Sequence, residues 1–221
     1  MKDAPRRVAV SSNSFSSLKP MRKAVNHLRT ADPVMAGIIA KAGPCKMMFR
    51  DADFHSLARS IVFQQLNGKA AGTIFDRLTA AANASPLTPK AILKLPPETL
   101  RAAGLSAQKA SYVIDLAERT LSGAVDFATL AARDDDGVIE HLTQVKGVGP
   151  WTAQMILIFA LKRPDVLPVA DYGIRAAMKK SYSLADLPKP MEMETISASW
   201  RPHRSVACWY LWRSLDGPAE G

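Results

Sequence analysis

The stretch Leu142-Thr-Gln-Val-Lys-Gly-Val-Gly-Pro-Trp-Thr-Ala153 ends one helix and starts another within a few residues. The first helix closes near Gln144, the turn runs Val145-Lys-Gly-Val-Gly149, and Pro150 takes the N1 position that suits a residue without an N–H. Gly147 and Gly149 permit positive φ and leave no Cβ in the way of an approaching ligand. Amides at the start of the second helix then face outward at the positive end of its dipole, a ready anion site. Lys146 adds a charge and Thr152 a hydroxyl, while the side chains of Val145 and Val148 read as core plugs. Tight packing alone could also explain Gly-x-Gly, so the partner must be sought in the rest of the chain.

Downstream, residues 150–163 are apolar on nearly every side and should cross the core, ending at Arg163-Pro164. Leu167-Pro-Val-Ala-Asp-Tyr-Gly-Ile-Arg175 follows. Asp171 has two compatible readings: the N-cap of a helix over 172–180, and a carboxylate presented at a groove. A helix start favours negative charge, so each role supports the other.

Elsewhere the periodicity is helical. In Ser56–Leu66 the apolar residues Leu57, Ala58, Ile61 and Val62 lie a turn apart; Asn67-Gly68 breaks the pattern, and Ala71, Ile74, Phe75 and Leu78 resume it. Thr88-Pro89 and Pro96-Pro97 open short helices, Ser106 can cap a helix over 107–121, and Asp134–Asp136 mark another helix start. Strand alternation and solenoid repeats are missing. An all-α fold of two helical lobes with a groove between them is expected. Residues 1–31 read as a basic flexible leader, rich in Ser up to Ser17, followed by a domain over 32–216, with the two-helix turn at about 137–163, and a tail over 217–221.

The 221 residues are 48% hydrophobic and 22% charged, a globular balance that argues against wholesale disorder. Cys45 and Cys208 are too few for a disulfide framework or a thiolate cluster, and His27, His55, His141 and His203 lack metal spacing. The longest apolar run, Met155 to Leu161, is far short of the ~20 residues of a membrane span. An intracellular protein is therefore expected, in the nucleoid or the nucleus according to its source. The net charge of +9 is concentrated early: residues 1–50 hold ten Lys and Arg against Asp3 and Asp32. Such a balance points to a polyanion, nucleic acid before an anionic membrane.

Together these segments resemble the helix-hairpin-helix DNA glycosylase superfamily over roughly Asp32 to Asp216. Ser60-Ile-Val-Phe-Gln-Gln-Leu-Asn-Gly-Lys-Ala-Ala71 is similar to the family's helix pair with a DNA-wedging loop, and Gly104-Leu-Ser-Ala-Gln-Lys-Ala110 to its second backbone-gripping turn. Trp200-Arg-Pro-His-Arg-Ser-Val-Ala-Cys-Trp-Tyr-Leu-Trp-Arg213 resembles the closing helix of the alkylated-base branch, DNA-3-methyladenine glycosylase II. The resemblance implies that Asp171 is the catalytic aspartate, and that Trp212, Trp151 and Met155 surround the extruded base. Val145, Lys146, Gly147, Gly149 and Thr152 of the hairpin, with Ser106 and Lys109 of the second turn, would hold the DNA backbone. Gln65 or Leu66 would fill the gap left by the flipped nucleotide. Trp200, Trp209 and Tyr210 read as core aromatics, and Arg201 and Arg204 as ion pairs or phosphate contacts.

Relatives that also cut the strand carry a Schiff-base Lys two residues after the second hairpin Gly; here that residue is Trp151. A monofunctional enzyme is implied, one that releases alkylated purines from double-stranded DNA by hydrolysis without strand cleavage. It needs no cofactor beyond a Na or K ion on hairpin backbone carbonyls, and it would act as a monomer on one flipped nucleotide. Two alternatives stand beside this reading: a helix-hairpin-helix protein that binds DNA without catalysis, and a glycosylase for uracil, hypoxanthine or oxidised guanine.

Overall fold

The computed structural model describes residues 18–216. The Ser-rich start of the leader and the tail over 217–221 lie outside them. Twelve α-helices are found among the described residues, with two short 3-10 turns and no strand. They are α1 (Leu18–Ala31), α2 (Pro33–Ala42), α3 (Phe54–Phe63), α4 (Gly68–Ala81), α5 (Pro89–Leu93), α6 (Pro97–Ala102), α7 (Ala107–Leu121), α8 (Asp135–Thr143), α9 (Pro150–Phe159), α10 (Tyr172–Ser181), α11 (Pro190–Ile196) and α12 (Arg204–Arg213).

Most helix starts obey the local chemistry of their residues. Asp32, Asp53, Asn67, Thr88, Ser106, Asp134 and Asp171 each accept a bond from a backbone N–H two or three residues on. Proline at the start of α2, α5, α6, α9 and α11 loses no intrahelical bond.

Two hydrophobic cores result. Leu57, Ile61, Phe75, Leu116, Leu142 and Ile156, among others, form one lobe from α3–α9. Leu28, Ile39, Ile174, Met178, Trp200 and Tyr210 belong to the other, built from α1 and α2 together with α10–α12. The described residues thus begin and end in the same lobe. Asp32 helps to fasten the two ends: it caps α2 through one oxygen, while the other accepts bonds from Tyr182 Oη (2.6 Å) and Trp200 Nε1 (2.8 Å).

The domain boundary of the sequence reading requires correction. Residues 18–31 form α1, whose Ala24 and Leu28 are buried in the second lobe, with Met21 and Val25 beside them. Those four apolar positions recur at helical spacing, a signal masked by the surrounding Lys19, Arg22, Lys23 and Arg29. The core helix is also shorter than expected, since α9 ends at Phe159 rather than near residue 163. Ala160 and Leu161 N–H both return to Ile156 O there, and Lys162 takes a left-handed φ of 57°.

Candidate active site

Loop 160–171 carries the chain from one lobe to the other and delivers Asp171 to their junction. α12 holds this loop at several points. Ser205 Oγ donates to Arg163 O (2.7 Å) and accepts from Val166 N–H (3.0 Å). Arg204, buried, grips Asp165 with Nε (2.8 Å) and Nη2 (3.1 Å) and reaches Glu194 with Nη1 (2.8 Å). Arg201 joins the same acids. These two arginines are therefore clamps on the loop, with their charges already answered.

Asp171 caps α10 by accepting from Ile174 N–H at 2.7 Å. The same Oδ1 accepts from Trp212 Nε1 (3.1 Å), and Oδ2 accepts from Trp151 Nε1 (2.6 Å). Three N–H donors around two oxygens suit the acceptor-only carboxylate. The residue is 8% exposed, so these donors replace much of its hydration. Gly173 gives the arrangement room, since a Cβ there would lie 3.1 Å from Asp171 Oδ1 and 3.2 Å from the Trp212 ring.

Trp151, 40% exposed, connects this carboxylate to a cavity of about 170 Å³. Met155 and Phe159, one and two turns further along α9, line the same cavity. The opposite wall comes from Arg59, Ser60, Phe63 and Gln64 around the end of α3, with Arg50 from the preceding loop. Trp212 is not part of this lining. Its ring packs against Phe159, with centroids 5.9 Å apart, and its N–H holds the aspartate. Trp151 and Met155 border the cavity directly, and Trp212 stands next to it through its contacts with Phe159 and Asp171.

The hairpin lies next to the cavity. Gln64 bridges the two, donating from Nε2 to Gly147 O (3.0 Å) and to Thr152 Oγ1 (3.2 Å). Thr152 is buried and lines the cavity, its hydroxyl accepting from Gln64, rather than standing on the hairpin's outer surface where a DNA backbone contact was expected. Val145 is buried as well, so only its backbone can face outward. Gly147 has φ 75°, and a Cβ on it would meet the Tyr112 ring at 2.1 Å. Gly149 does not use that freedom, its φ of −98° being ordinary. Space above it is open, so its missing Cβ bares the start of α9, which no side chain caps.

Buried Asp115 fixes the hairpin from α7. It accepts from Lys146 N–H (2.9 Å) and Arg119 Nε (2.8 Å) and has Lys146 Nζ at 3.6 Å. Burial pushes its pKa up, but these bonds and the two cationic side chains outweigh that and hold it below the usual value. Lys146 still keeps 68% of its side chain in solvent. Val145 O and Gly147 O accept from Val148 N–H and Gln64 Nε2, and a carbonyl has a second lone pair. Neutral oxygen donors of this kind suit a hard monovalent cation.

Of the remaining predicted contacts, Lys109 turns inward. Its ammonium donates to Val62 O (2.7 Å) and Gln64 O (2.5 Å), capping the carbonyl end of α3. Ser106 is exposed, but its hydroxyl caps α7 by accepting from Lys109 N–H. Gln65 and Leu66 project at the tip between α3 and α4, Gln65 with φ 56° and Leu66 41% exposed. Sequence reasoning missed Arg50, Arg59, Phe63, Gln64, Tyr112, Asp115 and Phe159. Nothing nearby in the chain sets Asp115 apart, since its helix neighbours Ser111, Glu118 and Arg119 are polar as well.

Comparison with known proteins agrees with this geometry. The family model for the HhH-GPD superfamily base excision DNA repair protein matches residues 58–203. DNA-3-methyladenine glycosylase 1 of Schizosaccharomyces pombe is 35% identical over 199 residues, covering 88% of this chain and 87% of that protein. The solved structure of the 3-methyladenine DNA glycosylase Mag1 of that yeast, in complex with abasic DNA, superposes with a TM-score of 0.77 at 34% identity, covering 87% of this chain and 96% of that one. A DNA-3-methyladenine glycosidase from Bacillus halodurans gives 0.76 at 34% identity, with 90% and 91% covered. With its hairpin, its capped aspartate and its two-lobed helical frame, this chain belongs to the HhH-GPD superfamily of base excision DNA repair proteins.

Proposed function

We propose that this protein is a monofunctional DNA glycosylase that releases alkylated purines from double-stranded DNA. The observation that carries the reading is the Asp171 carboxylate, held by the indole N–H groups of Trp151 and Trp212 at the edge of a cavity beside the hairpin.

A base inside a duplex is out of reach, so the target nucleotide must be extruded, at a cost of a few kcal/mol that falls for damaged pairs. The bared start of α9, with exposed Lys146, would hold the backbone, and Gln65 or Leu66 would fill the vacated stack. The base would enter between Trp151, Met155 and Phe63. Alkylation at N3 or N7 makes a purine cationic and weakens its bond to the sugar. As that bond breaks, its electron pair moves to the base and positive charge develops on the sugar. The Asp171 carboxylate stabilises this charge, and water completes the substitution. Trp151 occupies the place where a Schiff-base lysine would be needed, and it binds the aspartate instead. The hairpin carbonyls of Val145 and Gly147 would hold any Na or K ion.

A duplex containing one 7-methylguanine or 3-methyladenine tests the proposal. Free base should accumulate, strand breaks should appear only after alkali, and borohydride should trap no covalent complex. DNA binding without base release would favour a non-catalytic protein, and a trapped complex would contradict the monofunctional reading.

A further inference from the structure

The cavity that would receive the base carries two positive charges and, among its lining residues, no acid. Arg59 lies with its guanidinium carbon 3.7 Å from the centre of the Phe63 ring. Arg50 enters from the loop before α3, its backbone N–H anchored to Phe159 O at 3.0 Å. Neither guanidinium has a salt-bridge partner among the described residues. Burial lowers the pKa of Arg59, the nearby Arg50 charge lowers it further, and Asp76 acts in the opposite sense from the neighbouring open cleft. Arg50 is exposed and Arg59 half-buried over the Phe63 ring, and two like charges lining one cavity repel each other in the folded protein.

Such a wall is the opposite of what would attract a cationic purine. Its sign makes sense for the bond-breaking step instead. We infer that Arg50 and Arg59 form the positive end of a field whose negative end is Asp171, aligned to draw the bonding electrons from the sugar into the departing base. This inference rests on the glycosylase reading above. When the C1′–N bond breaks, both electrons go to the base nitrogen. A base that was cationic becomes neutral, so its repulsion from the arginines is relieved; a base that was neutral becomes anionic and is attracted. The lost charge appears on the sugar, beside Asp171, and water then adds to the sugar carbon and gives up a proton, to solvent when the base has left neutral and to the base when it has left as an anion. The arginines undergo no covalent change. Either type of base gains more from the arginine pair in the transition state than in the ground state, which is the condition for a faster chemical step.

The test is single-turnover kinetics on duplexes bearing either 7-methylguanine (cationic) or hypoxanthine (neutral), with the parent, Arg50→Met, Arg59→Met and Arg59→Lys. Both Met variants should lower the maximal rate by about tenfold on each base the parent releases. The half-saturating enzyme concentration for the 7-methylguanine duplex should stay the same or fall, because ground-state repulsion has gone. Arg59→Lys should recover most of the rate, which a purely packing role would not produce. Rates within twofold of the parent in both Met variants would overturn the inference, as would a loss in Arg59→Met that Lys fails to rescue. If Arg59→Met does not fold, Arg50→Met, in a loop, carries the same comparison. A parent that releases no base from any duplex refutes the glycosylase reading itself, a result distinct from an active parent with unaffected variants.

Discussion

Replacing Asp171 by Asn separates the charge of this residue from its geometry. The amide oxygen can take the place of Oδ1, keeping the bonds from Ile174 N–H (2.7 Å) and Trp212 Nε1 (3.1 Å), and Asn is a good N-cap. Its NH₂ then faces Trp151 Nε1, which now sits 2.6 Å from Oδ2, so two donors oppose each other. One unmet donor costs about 1–3 kcal/mol, and the 40% exposure of Trp151, which lets water take over, favours the low end. For a chain of this size that is a fall in Tm of roughly 2–6 °C. The catalytic loss should be much larger. A carboxylate about 4 Å from a developing carbocation, at an effective dielectric of ~20, is worth about 4 kcal/mol, or roughly 10³-fold in rate. Release of base from an alkylated duplex under single-turnover conditions measures the rate, and fluorescence anisotropy with an abasic duplex measures binding. We expect a folded variant that binds within about threefold of the parent and releases base about a thousandfold more slowly. A folded Asp171→Asn enzyme working within tenfold of the parental rate would refute the reasoning.

The two hairpin glycines should respond differently to alanine. Gly147→Ala strains a residue at φ 75° and drives a Cβ to 2.1 Å from Tyr112, so both melting temperature and DNA affinity should drop; Gly149→Ala meets open space at an ordinary φ and should weaken binding by tenfold or more with Tm almost unchanged. Calorimetry and anisotropy on the same preparations distinguish them, and equal Tm losses would contradict the assignment. Asp115 predicts an acid response, because a carboxyl held below its ordinary 3.8 contributes stability that is complete at higher pH and lost as pH falls through the folded value. The parent should therefore lose Tm more steeply than Asp115→Asn between about pH 5 and pH 3. Parallel curves would show that the hairpin does not depend on that charge.

Sequence alone determined the features governed by neighbouring residues. Capping acids and amides, N1 prolines and apolar spacing act within a turn or two, which is why α3, α4, α7 and α9 could be placed and why Asp171 was legible as a helix cap. The local signal of α1 was equally present, but its dense positive charge made it resemble a leader until burial of Leu28 was seen. Only the tertiary structure decided which polar groups meet across long separations. Lys109 turned from DNA to the carbonyls of α3, Thr152 was closed off by Gln64, and Trp212 became a donor to an aspartate 41 residues earlier. Such pairings depend on how two lobes dock, because a polar group removed from water must find a partner and the nearest one is seldom close in sequence. The arginines facing the cavity belong to the same class: nothing around Arg50 or Arg59 in the chain shows that they share a wall with Trp151.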